Sequence, residues 1–400
     1  MILGGIRILT FTTGIAGPNA GRILASLGAD VIKIESRKGG IDSFRYFGAS
    51  EDVNSSPRFA EANFGVRSLA VNLKHPDGLA IVRELAAHCD VVLENYRPDV
   101  LERLGLGFDE LRRIRPDIIQ VKMPGLGSTG PLKDYGTWGA LLNAYTGLTH
   151  LWNHPDADVP VGNQGVFPDY LTAVLAPTVV IAALLRRSAT GEGCLIDLAQ
   201  SEATAFCALP ISMLEVAING RDPLPVGNLG RGEAVQGVYP CAGADAWCAV
   251  RIEDDAQWTA FVALTRRDDL RDDPQLSDAR GRIRDRERVD AAISSWTSAR
   301  SARDAMFALQ AAGIPAGQVA SGSDLLTDPQ LARRAFIRRV QQPGVGEMTV
   351  PGLPMTVEPH LLAEPGPAPA LGEDNERIVR GLLGMTETQL RLLVEKEVLV

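Results

Sequence analysis

No C-x-x-C pair occurs in these 400 residues, and the cysteines are few and odd in number: Cys89, Cys194, Cys207, Cys241 and Cys248. Histidine is as scarce, with five scattered copies. A disulfide framework and a structural zinc of the usual spacing are both disfavoured, so the chain reads as a reduced, cytoplasmic protein with no metal. Basic charge is in deficit as well, 40 Lys and Arg against 49 Asp and Glu, for a net −9. Nucleic acid and anionic membranes call for a basic stripe, so neither is an expected partner. An anion could bind only at a local Arg/Lys cluster. Long apolar runs are missing too. The most apolar stretch, 171–185, contains Pro177. It falls short of the roughly 20 residues that cross a bilayer. It is expected to be a buried helix, kinked at the proline. The start, MILGGIRILTF, lacks the basic segment and apolar core of a signal peptide.

What is present is an alternation. Short apolar strands are expected at 6–11, 31–34, 67–73, 91–93 and 118–121, with helices at 18–27 and 76–88 between them. Strand–helix alternation with short connections predicts an α/β lobe with a mostly parallel sheet covered on both faces. After 185, the turn Thr190-Gly191-Glu192-Gly193 leads to a strand at 194–198. Residues 219–236 are rich in Gly, Pro and Arg and read as a linker or functional loop. Beyond them, strands near Val238 and Ala249 and helices near 255–265, 286–297 and 301–311 suggest a second, smaller α+β lobe. The chain closes with strands, a crossing that carries Pro365, Pro367 and Pro369, and helical segments.

Gly14-Ile15-Ala16-Gly17-Pro18 joins the first strand to the first helix, and Glu35 ends the second strand. A dinucleotide site would place glycines and an acid in this way. However, Gly14 and Gly17 are three apart, and Pro18 takes a place where a free amide is wanted, so no nicotinamide is expected. Asp169 stands just before the apolar run that begins near Tyr170. An aspartate there reads first as an N-cap, held ionised by the helix terminus. Tyr135, Trp138, Tyr145 and Trp152 precede it and read as core or as the wall of an apolar pocket. Arg112, Arg113 and Arg115 read as an exposed helix face.

Several segments together carry a resemblance. They are the opening G-I-x-I-L-x-F-T with A-G-P and L-A-S-L-G-A-D-V-I-K-I-E, then Arg67-Ser68-Leu69 and Asn72-Leu73-Lys74, and Leu93-Glu94-Asn95-Tyr96-Arg97-Pro98. Further on come Gly125-x-Gly127-x-x-Gly130-Pro131, Pro168-Asp169, Gly237-Val238-Tyr239-Pro240-Cys241 and Leu371-Gly372-Glu373-Asp374-Asn375. In order and spacing the chain resembles the family III CoA-transferases, the CaiB/BaiF group, along essentially its whole length. The resemblance implies an interlocked homodimer. Each chain would have a large Rossmann-like lobe, 1–215 with 330–400, and a small lobe, 225–325. It implies transfer of coenzyme A from an acyl-CoA to a carboxylic acid through covalent intermediates on Asp169. It also implies CoA contacts at Ala16, Arg37, Val71, Lys74, Asn95, Tyr96, Arg103 and Lys133. The chain departs from formyl-CoA transferase in three places. Ile15 stands for a glutamine, Gly139 lies where a second acid is expected, and the closing loop is thin (Gly227, Gly230, Arg231, Gly232). Two alternatives stay open. One is a racemase-type isomerase, although the matching stretch Gly136-Thr137-Trp138-Gly139 has no histidine; the other is a non-catalytic acyl-CoA binder.

Overall fold

The computed structural model describes residues 1–48, 52–160, 162, 165–229, 234–359, 361–364 and 366–399. It divides into two compact units. One holds 1–148, 163–221 and 330–400, and the other holds 149–162 and 222–329. Pro365 and the loop residues Gly230, Arg231 and Gly232 lie outside the described residues.

The larger unit is built on six parallel strands: β1 (Arg7–Phe11), β2 (Asp30–Glu35), β3 (Arg67–Ala70), β4 (Val91–Glu94), β5 (Ile119–Lys122) and β6 (Cys194–Asp197). Their order is β3-β2-β1-β4-β5-β6. Between them run α1 (Ala16–Ser26), α2 (Pro57–Ala62), α3 (Pro76–Ala87), α4 (Val100–Arg103), α5 (Phe108–Ile114), α6 (Gly139–Tyr145) and, beyond α7 (Leu148–Leu151), which falls mostly in the other unit, α8 (Phe167–Thr190). After β6 come α9 (Gln200–Ala208) and α10 (Pro210–Asn219). Adjacent strand residues point to opposite faces. Leu9, Ile32 and Val92 pack with Ile81 and Leu85 of α3, whereas Ile8, Val31 and Val91 pack with Ala20 and Leu24 of α1. Both faces are therefore buried, which is why these strands read as nearly continuous apolar runs.

Two expectations need correction. The helix expected at 171–185 is α8, which is 24 residues long and begins at Phe167. Length and composition alone would let it cross a membrane. Only one face is buried: Ala173, Ala176, Val180 and Ala183 are small enough to let it approach closely, and the last three join the α1 core, while Val174 and Leu185 are exposed. The third strand ends at Ala70, three residues early, because the chain then turns and Val71 bridges to Leu399 instead.

Arg115 is not part of an exposed face. It pairs with Asp90 at 2.8 Å and with Asp117 at 3.0 Å. The smaller unit carries an antiparallel sheet of β7 (Val235–Pro240), β8 (Trp247–Ile252) and β9 (Ala316–Gln318), covered by helices Asp255–Thr265, Arg286–Thr297 and Ala302–Ala311. Back in the larger unit, β10 (Ile337–Gln342) and β11 (Gly346–Pro351) form a hairpin.

Candidate active site

The strand order reverses between β1 and β4. In open parallel sheets ligands bind outside the carboxyl ends of the strands at such a switch point. A cavity of about 590 Å³ opens there, lined by Thr13, Gly14 and Ile15 after β1 and by Asn95, Tyr96 and Arg97 after β4. Its far wall comes from Gly125, the 135–140 segment, Val166, Asp169 and Gln200.

The β1 loop is held from below. Lys33 and Asp42, both fully buried, form an ion pair at 2.9 Å. The Lys33 ammonium donates to Thr12 O at 2.7 Å, and Asp42 Oδ1 accepts from Thr13 Oγ1 at 3.1 Å and Gly14 N at 3.0 Å. Burial alone would raise the Asp42 pKa, but Lys33 and the backbone donors outweigh it and hold the carboxyl below its usual range. Lys33→Ala would leave that carboxylate buried and unpaired. We expect it to cost about 3–5 kcal/mol in urea unfolding, the usual penalty for breaking a buried pair. Glu35, the acid that resembled a ribose ligand, is instead locked to Arg45 at 2.7 Å. Gly17 is required for packing: a Cβ there would lie 2.5 Å from Thr12 Cγ2 and 2.9 Å from Asn95 Cγ.

Asp169 is not the N-cap. It is the third residue of α8, after Phe167 and Pro168, and Val166 occupies the cap without a side-chain bond. Pro168 suits the first turn, where no N–H is needed, and so the helix starts earlier. Nor is the carboxyl at its ordinary pKa. Burial raises it to about 6, outweighing the opposite pull of its own backbone N–H. Among the described residues no Lys or Arg forms an ion pair with Asp169. Its carboxylate rests on Gly139, the first residue of α6. A Cβ on Gly139 would come within 1.9 Å of Asp169 Oδ2. The first-turn amides of α6 have no acceptor inside that helix.

Of the residues expected to touch CoA, the structure brings Asn95, Tyr96 and Lys133 to the cavity. Asn95 is clamped, accepting from Thr13 N at 2.9 Å and donating to Thr13 O at 2.8 Å. Burial pushes the Tyr96 phenol well above its usual pKa. Lys133 pairs with Asp99 at 2.8 Å. Ala16 is buried at the start of α1. Val71 is also buried, and its N–H donates to Glu35 O at 2.8 Å. Arg37, Lys74 and Arg103 are exposed and do not line the cavity. Arg37 and Lys74 belong to neighbouring loops, for a Cβ on Gly39 would meet Lys74 Nζ at 3.2 Å.

Sequence reasoning missed Arg58, Arg97 and Gln200 at this cavity. Arg97 directly follows Asn95 and Tyr96 and could have been found there; Arg58 and Gln200 gave no local signal. It also missed Glu94, buried at the end of β4, whose pKa burial raises to about 8 against the pull of nearby Lys122. The aromatics are not core: Tyr135, Trp138 and Tyr145 are each at least 60% exposed, and the first two line the cavity.

The chain is thus a mixed α/β protein with a parallel six-stranded sheet, as in CaiB/BaiF structures. A family model for CoA-transferase family III matches residues 3–375, and the chain belongs to that family. A probable CoA-transferase of Mycobacterium tuberculosis is 32% identical over 406 aligned residues, covering 99% of this chain, which spans only 50% of that longer protein. Succinyl-CoA–D-citramalate CoA-transferase of Chloroflexus aurantiacus is 31% identical, covering 99% of this chain and 98% of the relative. Among solved structures, a CaiB/BaiF family protein from Brucella suis superposes with a TM-score of 0.86 at 26% identity, over 95% of this chain and 99% of that one.

Proposed function

We propose that the protein moves coenzyme A from an acyl-CoA donor to a free carboxylic acid, with Asp169 as the nucleophile. The observation that carries this reading is a partly buried carboxylate, without an ion-pair partner among the described residues, at a cavity at the sheet's switch point. The carboxylate attacks the thioester carbonyl, the C–S bond breaks, and a mixed anhydride forms with release of CoA thiolate. The thiolate attacks the aspartyl carbonyl, which frees the donor acid and leaves an aspartyl-CoA thioester. The acceptor carboxylate then displaces the thiolate, forming a second mixed anhydride. Attack of the thiolate on the acceptor's acyl carbon completes the exchange and restores Asp169. Dividing one exchange into acyl transfers is the gain of covalent catalysis. No histidine lines the cavity among the described residues, which favours transfer over racemisation.

In the same reading, Asn95 and Tyr96 hold the pantetheine end of CoA, and Lys133 with the exposed Arg37, Lys74 and Arg103 reaches its phosphates. Ala16 and Val71 set the backbone that shapes the path. The Rossmann-like description of the large unit rests on its strand order. A homodimer is supported by α10, in which no residue is buried and Ile211 and Ile218 are 78% and 75% exposed. A second copy would cover that face, and a monomeric mass in solution would remove this part. A cytoplasmic setting suits the five unpaired thiols.

Mass spectrometry tests the mechanism. Incubation with succinyl-CoA followed by hydroxylamine is expected to modify the peptide that contains Asp169, and modification at another acid would reassign the nucleophile. The pH profile is a second test. Only the ionised carboxylate attacks, so kcat/KM should fall about tenfold per pH unit below about 6. A profile flat down to pH 4.5 would contradict the role.

A further inference from the structure

Gln200 opens α9 and is 6% exposed. Its backbone N–H donates to Pro124 O at 3.1 Å, and its side-chain Nε2 donates to Met123 O at 3.1 Å. These two bonds clamp the residue against the segment that follows β5. The bond to Met123 O also fixes which end of the amide is nitrogen, since an oxygen there would face another oxygen. The remaining atom, Oε1, is buried and has no hydrogen-bond partner among the described residues. Gln200 is also among the residues that line the cavity beside Asp169. Buried polar atoms in native proteins are nearly always paired, and an unpaired one beside a binding cavity is a place for a ligand group.

We infer that Gln200 Oε1 accepts a hydrogen bond from an N–H or O–H donor of the bound substrate, which makes Gln200 a specificity-determining residue of the Asp169 cavity. This rests on the acyl-CoA reading of that cavity. The chemistry excludes the groups that react. Carboxylates and thioester carbonyls are acceptors and would face Oε1 unfavourably. The donor therefore belongs to a part of the substrate that does not react. Close to the reacting carbonyl there are two sources: the pantetheine amide N–H nearest the thiol, or a hydroxyl on the acid. A site that hydrogen-bonds such a group discriminates against the analogue lacking it, because its own buried atom is then left unpaired.

Matched ligands separate the two sources on the wild-type protein. Calorimetry compares CoA with an analogue in which the amide nearest the thiol is an ester. Transfer from succinyl-CoA compares 2-hydroxyglutarate with glutarate. A preference of roughly tenfold for CoA over its ester analogue, lost in Gln200→Met, assigns the donor to pantetheine. A similar preference for the hydroxy acid, lost in the same variant, assigns it to the acid. If the wild type binds CoA and transfers it but discriminates within neither pair, or if Gln200→Met folds and discriminates as before, the inference is wrong and the transferase reading stands. If the wild type does not bind CoA, both fall together.

Discussion

Asp169→Asn is expected to lower transfer activity by on the order of 10⁴-fold or more, the scale for removing a covalent nucleophile, while the protein becomes more stable at neutral pH. The amide keeps the size of the side chain but cannot form an anhydride. The stability gain follows from the raised pKa. Asp169 titrates at about 6 in the folded chain, against about 3.9 for an unperturbed aspartate. Between those values the folded state holds a proton that the unfolded state has released. Stability associated with this group is therefore full below about pH 4 and is lost as pH rises through 6. Asparagine carries no such cost. At pH 7–8 the variant should exceed wild type by at most about 3 kcal/mol, and by less to the extent that solvent screens this partly exposed group. At pH 4 the difference should vanish. Urea unfolding at both pH values, with the transfer assay, checks the pair. A variant that is inactive and also less stable at pH 8 would mean that Asp169 serves the fold rather than the chemistry.

Gly139→Ala is expected to cost about 100-fold or more in kcat, the scale for displacing a reacting group by an ångström. The added methyl would sit 1.9 Å from Asp169 Oδ2 and 2.7 Å from Val166 Cβ. Neither neighbour can yield without moving: the carboxyl is attached to the first turn of α8, and Val166 caps that helix. The fold should lose only about 1–3 kcal/mol, the usual cost of overpacking. CoA should still bind, since the contacts proposed for it lie on other segments. Calorimetry with CoA beside single-turnover kinetics separates the outcomes. Normal turnover in Gly139→Ala would show that the carboxylate works from a different position. The place where a second acid was expected is thus accounted for by space, for the Asp169 carboxylate rests against Gly139.

The sheet was legible because its signal is local. Strands buried on both faces appear as short apolar runs, and β1, β2, β4 and β5 fall within a residue or so of their expected places. The helices Pro76–Ala87, Asp255–Thr265 and Arg286–Thr297 announced themselves similarly, by opening proline or by spacing. The start of α8 was misplaced because the apolar run begins only near Tyr170, whereas the helix already takes in Phe167 and Pro168, a proline being well tolerated in a first turn. The exposure of Tyr135 and Trp138 was invisible, since an aromatic side chain has the same identity whether it faces a core or a cavity.

By itself the sequence determined the α/β alternation and the family, and it singled out Asp169 as the candidate nucleophile, all of which follow from residue order along the chain. Tertiary structure alone decided the aspartate's state. Its pKa of about 6 comes from burial in the folded chain. Its resting place comes from the missing side chain at Gly139, thirty positions earlier. Gln200 and Arg58 reach the same cavity from α9 and α2, and Lys33 and Asp42 fix the loop at its edge. Desolvation, close approach and an unpaired oxygen are properties of what surrounds an atom, and here the surroundings are assembled from segments far apart in the chain.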